Sequence, residues 1–120
     1  VREFTVEVDN SGAGDQVVLR PRGNLDGATT PILREHFDRL LEEKRYHVVI
    51  DLSETEYVSS VGIGLLLGSL TLFRRHGGDL ALMHPSKATE KALSILNIRR
   101  YFRIVRAREG NPRPEKTPSG

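Results

Sequence analysis

The sequence predicts an α/β domain built on a mixed sheet of four to five strands, with helices predominantly on one face. Three observations carry this reading. Short strand-like segments alternate with segments of helical period. The helical segments open on capping signals and the second closes on Gly77-Gly78. The chain has 120 residues, 38% of them hydrophobic, which suits one core better than two. Folding at this length removes roughly two-thirds of the unfolded chain's surface from water, so no disulfide or structural metal is needed.

Phe4, Val6 and Val8 alternate with polar residues as a half-buried strand does, and the turn-rich run Asp9 to Asp15 closes a hairpin onto a second strand, Gln16 to Arg20. Past Gly23-Asn24-Leu25-Asp26-Gly27, Thr30 is the expected cap of a first helix and Pro31 its first residue, where a missing N–H costs nothing. Leu33, Phe37, Leu40 and Leu41 then share one face. Val48-Val49-Ile50 is wholly apolar, as befits a central strand buried on both sides.

A second helix is expected from Ser60 to about His76, with Arg74, Arg75 and His76 at its negative end. Its Leu65, Leu66, Leu70 and Phe73 read as core. Leu80 to Met83 forms the next strand, and Ser86 caps a third helix whose Ala88, Ala92, Leu93 and Leu96 fall on one face. Tyr101 to Val105 is a terminal strand or short closing element. Ala107 to Gly120, with Pro112, Pro114 and Pro118 and no apolar periodicity, is expected to be a flexible tail. The domain is therefore placed at residues 1–106 and the tail at 107–120.

Composition narrows the function. With no Cys in the chain, thiol chemistry and Cys-ligated zinc are excluded. His36, His47, His76 and His84 lack metal-ligand spacing, and no G-x-S-x-G nucleophile elbow occurs. Neither a catalytic residue, a metal nor a cofactor is expected. The net charge is only +2, and +1 without the tail, too little for a nucleic-acid or anionic-lipid field. The local clusters Arg74, Arg75 and Arg99, Arg100, Arg103, Arg106 remain candidate anion contacts, with solvated positive charge, some of it offsetting helix dipoles, as the favoured reading. Val61 to Phe73, the most apolar stretch, is shorter than the roughly 20 residues that span a bilayer. No export signal opens the sequence, and a cytoplasmic location is expected.

The informative segment is Asp51 to Gly64, where a central strand gives way to a polar loop and two hydroxyls, Ser59 and Ser60, arrive at a helix start. Unpaired backbone N–H groups and the positive end of the macrodipole favour an anion there. Either serine could instead simply cap the helix. Gly62, Gly64 and Gly68 each cost roughly 1 kcal/mol against alanine, which calls for a reason. Gly68 is expected to serve packing against the sheet, and Gly62 close approach by another macromolecule.

The run Tyr57-Val58-Ser59-Ser60-Val61-Gly62-Ile63-Gly64, the earlier Gly23-Asn24-Leu25-Asp26, and the later Gly77-Gly78-Asp79-Leu80 with Ile95-Leu96-Asn97-Ile98 resemble a STAS domain of the bacterial anti-sigma factor antagonist class over residues 4–106. That resemblance implies a non-enzymatic protein that binds an anti-sigma factor, itself a serine kinase using ATP, and so frees a sigma factor. The kinase phosphorylates a serine at the start of the second helix, by position Ser60; the complex then dissociates, and a serine phosphatase resets the switch. Asp26 is the carried-over acidic residue near that serine. The implied partner surface comprises Asn24, Asp26, Ser59, Ser60, Val61, Gly62 and Gly64.

The chain departs from the family pattern at Ser59, where Asp is usual, at Val61, where Ser or Thr is usual, and at Asn24, which replaces Glu. These departures leave open a non-switching STAS interaction or scaffold module. A second alternative, a nucleotide-binding module on Gly62-Ile63-Gly64-Leu65-Leu66-Leu67-Gly68, has the third glycine one residue late for a dinucleotide fingerprint.

Overall fold

A computed structural model describes residues 3–10 and 14–106. Ser11 to Ala13 of the expected turn and the expected tail, Ala107 to Gly120, lie outside the described residues. In chain order the elements are β1 (Thr5–Asp9), β2 (Gln16–Arg22), α1 (Thr30–Glu42), β3 (His47–Asp51), α2 (Ser60–Arg75), β4 (Asp79–Met83), α3 (Lys87–Ile95), a 3-10 turn (Arg99–Tyr101) and β5 (Arg103–Val105). The five strands lie side by side in sequence order. β1 runs antiparallel to β2, while β2, β3, β4 and β5 are mutually parallel.

A right-handed crossover between each adjacent parallel pair, always stepping the same way across the sheet, puts every helix on one face. The core agrees. Val17 and Leu19, Val48 and Ile50, and Leu80 and Leu82 alternate onto that face and pack with Leu33, Phe37 and Leu40 of α1, Ile63, Leu66, Leu70 and Phe73 of α2, and Leu93 of α3. Phe37 meets Phe73 edge-to-face at 5.9 Å, locking α1 to α2. Val49 and Ala81 are buried too, but on the opposite face and outside this cluster.

Three local expectations need correction. Thr30 does not cap α1: it is the first helical residue, its buried hydroxyl has no hydrogen-bond partner among the described residues, and the capping position falls on Thr29. The reason lies upstream, where Asp26 Oδ1 accepts from the Ala28 and Thr29 N–H groups and starts the turn itself. On α3, Ala88 and Leu96 are exposed and the buried row is Thr89 and Leu93. Thr89 tolerates burial because its hydroxyl lies 3.1 Å from the Ser86 Oγ that caps the helix. Tyr101 belongs to the 3-10 turn, so the last strand begins only at Arg103. β2 also runs on through Pro21, which pairs with Val6 but lies past the last β3 pairing at Leu19.

On the helix-free face, buried Asp51 receives the Arg20 Nε at 2.8 Å, and Arg20 in turn reaches Glu7 at 2.9 Å. Burial pushes the Asp51 carboxyl up, but the Arg20 hydrogen bond and the Ser53 N–H together hold it below the usual carboxylate range. A carboxyl depressed by folding contributes stability above its unfolded value near 4 and loses it as pH falls through the folded one. Asp79, held down by Arg74 and Arg103 against its own desolvation, has the same sign. Urea midpoints are therefore expected to be level above about pH 5 and to fall below about pH 4, with Asp51→Asn flattening part of that fall. A midpoint that rises on acidification would contradict the pairing.

Candidate functional site

Two loops at the carboxyl ends of β2 and β3 are zipped together. The Gly23 N–H donates to the Glu54 carbonyl at 3.1 Å, the Leu25 N–H to the Tyr57 carbonyl at 3.0 Å, and the Ser59 N–H to the Leu25 carbonyl at 2.8 Å. Leu25 and Val58 form a parallel bridge and are both buried. Two side chains complete the zipper. Asn24 Oδ1 accepts from the Tyr57 N–H at 3.0 Å, and the buried Thr55 hydroxyl donates to the Pro21 carbonyl at 2.9 Å. Gly23 turns at φ +121°, a conformation open to glycine.

This platform delivers the start of α2 to the surface. Ser59 sits in extended conformation as the N-cap, and its Oγ accepts from the Gly62 N–H at 3.3 Å. Ser60 is the first helical residue; its side chain is exposed, and its hydroxyl has no hydrogen-bond partner among the described residues. The two serines thus divide the roles that the sequence left open: Ser59 closes the helix end, and Ser60 presents a free hydroxyl beside the positive end of the macrodipole. Val61 is 56% exposed and Tyr57 52%, so an apolar residue and a ring flank that hydroxyl along the chain.

Asp26 is solvent-facing and lies one residue from the Leu25 carbonyl that holds Ser59. Backbone hydrogen bonds from Thr29 and then Ala28 hold its carboxyl below the usual range, so it remains an anion at the start of α1. The Thr29 hydroxyl braces the same loop by donating to the Asn24 carbonyl at 2.7 Å.

Gly62 is not open to a visiting macromolecule. It is buried, and a Cβ there would lie 2.8 Å from Val58 Cγ1 and 3.1 Å from Leu25 Cβ. Its missing side chain is what lets α2 sit on the Leu25–Val58 bridge, so packing, not approach, is the return on this glycine. Gly68 also reverses expectation. It and Gly64 are exposed with no heavy atom near a would-be Cβ, and both line a groove between α1 and α2. Gly62→Val is expected to cost about 2–3 kcal/mol, overpacking set against improved helix propensity, and to reduce the urea midpoint accordingly. An unchanged midpoint would mean that α2 does not rest on this bridge.

The glycine-rich run 62–68 lies wholly within α2, so it forms no phosphate-cradling loop. No group of three metal-ligating side chains occurs among the described residues, and no described helix is long and apolar enough to cross a membrane. Residues that sequence reasoning passed over are Leu25, Val58 and Tyr57. The visible signal was the lone apolar Leu25 in one polar loop and the adjacent pair Tyr57-Val58 in the other.

A family profile for the STAS domain matches residues 7–110. The chain belongs to the STAS family. It is 25% identical over 107 residues to the anti-sigma-B factor antagonist of Bacillus subtilis, an alignment spanning 89% of this chain and 97% of that protein. It is also 25% identical over 90 residues to the anti-sigma F factor antagonist of Paenibacillus polymyxa, covering 74% of each. Among solved structures it shares its fold with the anti-sigma factor antagonist SpoIIAA in its unphosphorylated form, with a TM-score of 0.71, 19% identity and coverage of 89% and 91% of the two chains. The phosphorylated form of the Bacillus cell fate determinant SpoIIAA superposes with a TM-score of 0.66 at 19% identity, covering 89% of this chain and 95% of that one.

Proposed function

We propose that this STAS domain is an anti-sigma factor antagonist that binds an anti-sigma factor serine kinase and is released when that kinase phosphorylates Ser60. The observation that carries the reading is the free, exposed Ser60 hydroxyl on the first turn of α2, with the capping duty taken by Ser59. A kinase needs a hydroxyl that is accessible and whose loss to phosphate leaves the fold intact, and only the second serine meets both conditions.

The partner surface we assign is Ser59 to Val61 with Tyr57, Asp26 and the exposed Gly64, braced from behind by Asn24 and Gly62. This division differs from a uniform contact surface: Asn24 spends its side-chain oxygen on the Tyr57 N–H and Gly62 is buried, so these two act by shaping the loop. The names of the relatives, which are antagonists of anti-sigma-B and anti-sigma F factors, support the partner class. That the SpoIIAA fold exists both with and without phosphate supports a modification that does not unfold the domain. A serine phosphatase would return the chain to its binding form.

The test is a pull-down from the native host with the chain isolated in its phosphorylated form, its phosphate verified by mass, and with the same chain after phosphatase treatment, read by mass spectrometry. The reading expects an anti-sigma factor with a kinase domain on the dephosphorylated chain and its depletion on the phosphorylated one. Equal capture by both forms would replace the switch with a constitutive STAS interaction module.

A further inference from the structure

At the far end of α2 from Ser60 the fold gathers the two arginine groups that the sequence keeps about 25 residues apart. Arg74 Nε donates to Asp79 Oδ1 at 3.0 Å and its Nη2 to the Tyr101 carbonyl at 2.9 Å, so the end of α2 is tied to the 3-10 turn. Between them lies a cavity of about 470 Å³ lined by Leu67, Leu70, Thr71, Arg74, Arg75 and Tyr101. Its floor is the buried Leu70 with the half-buried Leu67, and one side is the Tyr101 ring, which is 45% exposed.

The rim is cationic beyond what the fold consumes. Arg99 and Arg106 are held by Glu90, and Arg103 by Asp79. Arg75 is exposed and has no ion-pair partner among the described residues; Arg74 is ion-paired with Asp79 but, among the described residues, uses two of the five N–H donors of a guanidinium. Arg100, outside the cavity lining, lies 5.2 Å from the Tyr101 ring centroid and donates to the amide oxygen of Asn97. Of the two guanidinium groups that line the hollow, Arg74 is paired with Asp79, so the unpaired charge there is that of Arg75, with the spare N–H donors of Arg74 beside it.

We propose that this cavity binds a small amphiphilic anion, an acyl or aryl body ending in a carboxylate or phosphate, with the apolar body on Leu67, Leu70 and Tyr101 and the head on the free donors of Arg74 and Arg75. The volume falls within the 300–1,000 Å³ typical of small-ligand sites, and a guanidinium matches a carboxylate or phosphate bidentately. A bilayer headgroup presents the same chemistry, but the concave floor and the net charge of +2 favour a free molecule over a charged sheet of lipid. α2, 16 residues and so about 24 Å long, separates this site from Ser60, and the proposal stands independently of the switch.

Decanoate is the probe, with decyltrimethylammonium as its charge-reversed control, and the readout is amide chemical-shift perturbation in the full chain. Saturable shifts clustered at Leu67, Thr71, Arg75 and Tyr101 with decanoate, and none with the cation, are expected. Arg75→Gln should weaken binding about fivefold and Thr71→Glu, an exposed site that sets a like charge in the mouth, at least tenfold. Equal shifts from both probes, shifts scattered over the surface, or indifference to both substitutions would overturn the site. Co-sedimentation with phosphatidylglycerol vesicles in the absence of saturable decanoate shifts would overturn it equally, in favour of a membrane contact.

Discussion

Replacement of Gly78 by alanine is expected to remove about 4 kcal/mol or more, a large part of the 5–15 kcal/mol typical of a domain. The α2–β4 turn holds two consecutive glycines for different reasons. Gly77 follows the helix in the left-handed region at φ +83°, and its N–H donates to the Arg74 carbonyl at 3.0 Å. Gly78 has no such backbone demand; a Cβ on it would run into the Tyr46 carbonyl group, which is main chain and cannot rotate aside. The same carbonyl accepts the Asp79 N–H at 2.9 Å, and the Gly78 N–H closes the helix on the Phe73 carbonyl at 2.9 Å. Alanine at 78 must therefore separate β4 from the segment entering β3. Gly77→Ala, which meets open space, is expected to cost only about 1–2 kcal/mol. Urea unfolding of both variants checks this, and equal costs would show that the close approach at Tyr46 is relieved by small shifts.

Ser60→Asp is expected to weaken binding to the proposed anti-sigma kinase partner by at least tenfold, and a phosphate, with about −1.5 to −2 charges, by about a hundredfold. The latter corresponds to roughly 2.8 kcal/mol of like-charge and desolvation penalty at the interface. Ser60→Ala removes only an unpartnered hydroxyl, so its affinity should lie within about threefold of the parent while it accepts no phosphate at this position. Neither change should cost the free domain as much as 1 kcal/mol, because the side chain is exposed and the dipole at the start of α2 favours negative charge. Surface plasmon resonance on immobilised kinase, with urea unfolding of each variant alongside, separates lost contact from lost fold. Undiminished binding by Ser60→Asp would favour the scaffold reading.

The elements themselves were legible because their signals are local. Period-2 and period-3.6 patterns, Ser86 before a helix and Gly77-Gly78 after one each act within a few residues, and all of them recur in the structure. What misled was context. Thr30 and Pro31 form a good start signal, yet Asp26 begins the turn earlier because Thr29 and Asn24 hold it there. Ala88 and Leu96 complete an apolar row on paper, but the tertiary partner of α3 selects the row of Thr89 and Leu93, one residue round.

At the candidate site, the position of Ser60 was readable from the helix start, whereas the roles of Gly62 and Asn24 were not. Gly62 is defined by the Leu25–Val58 bridge and Asn24 by Tyr57, and in each case one strand-end loop meets a partner more than 30 residues distant that only the folded β2 and β3 ends bring together. A single chain of letters carries no record of which loop faces which, so a glycine needed for packing and one left open to solvent look alike.

The measurement that bears most directly on the account is the affinity of the purified chain for its cognate anti-sigma kinase before and after stoichiometric phosphorylation by that kinase, with the modified residue mapped by phosphopeptide sequencing. The account predicts phosphate on Ser60 and a dissociation constant about a hundredfold higher. Phosphate confined to Ser59 or Ser53, or a dissociation constant unmoved by modification of Ser60, would contradict it.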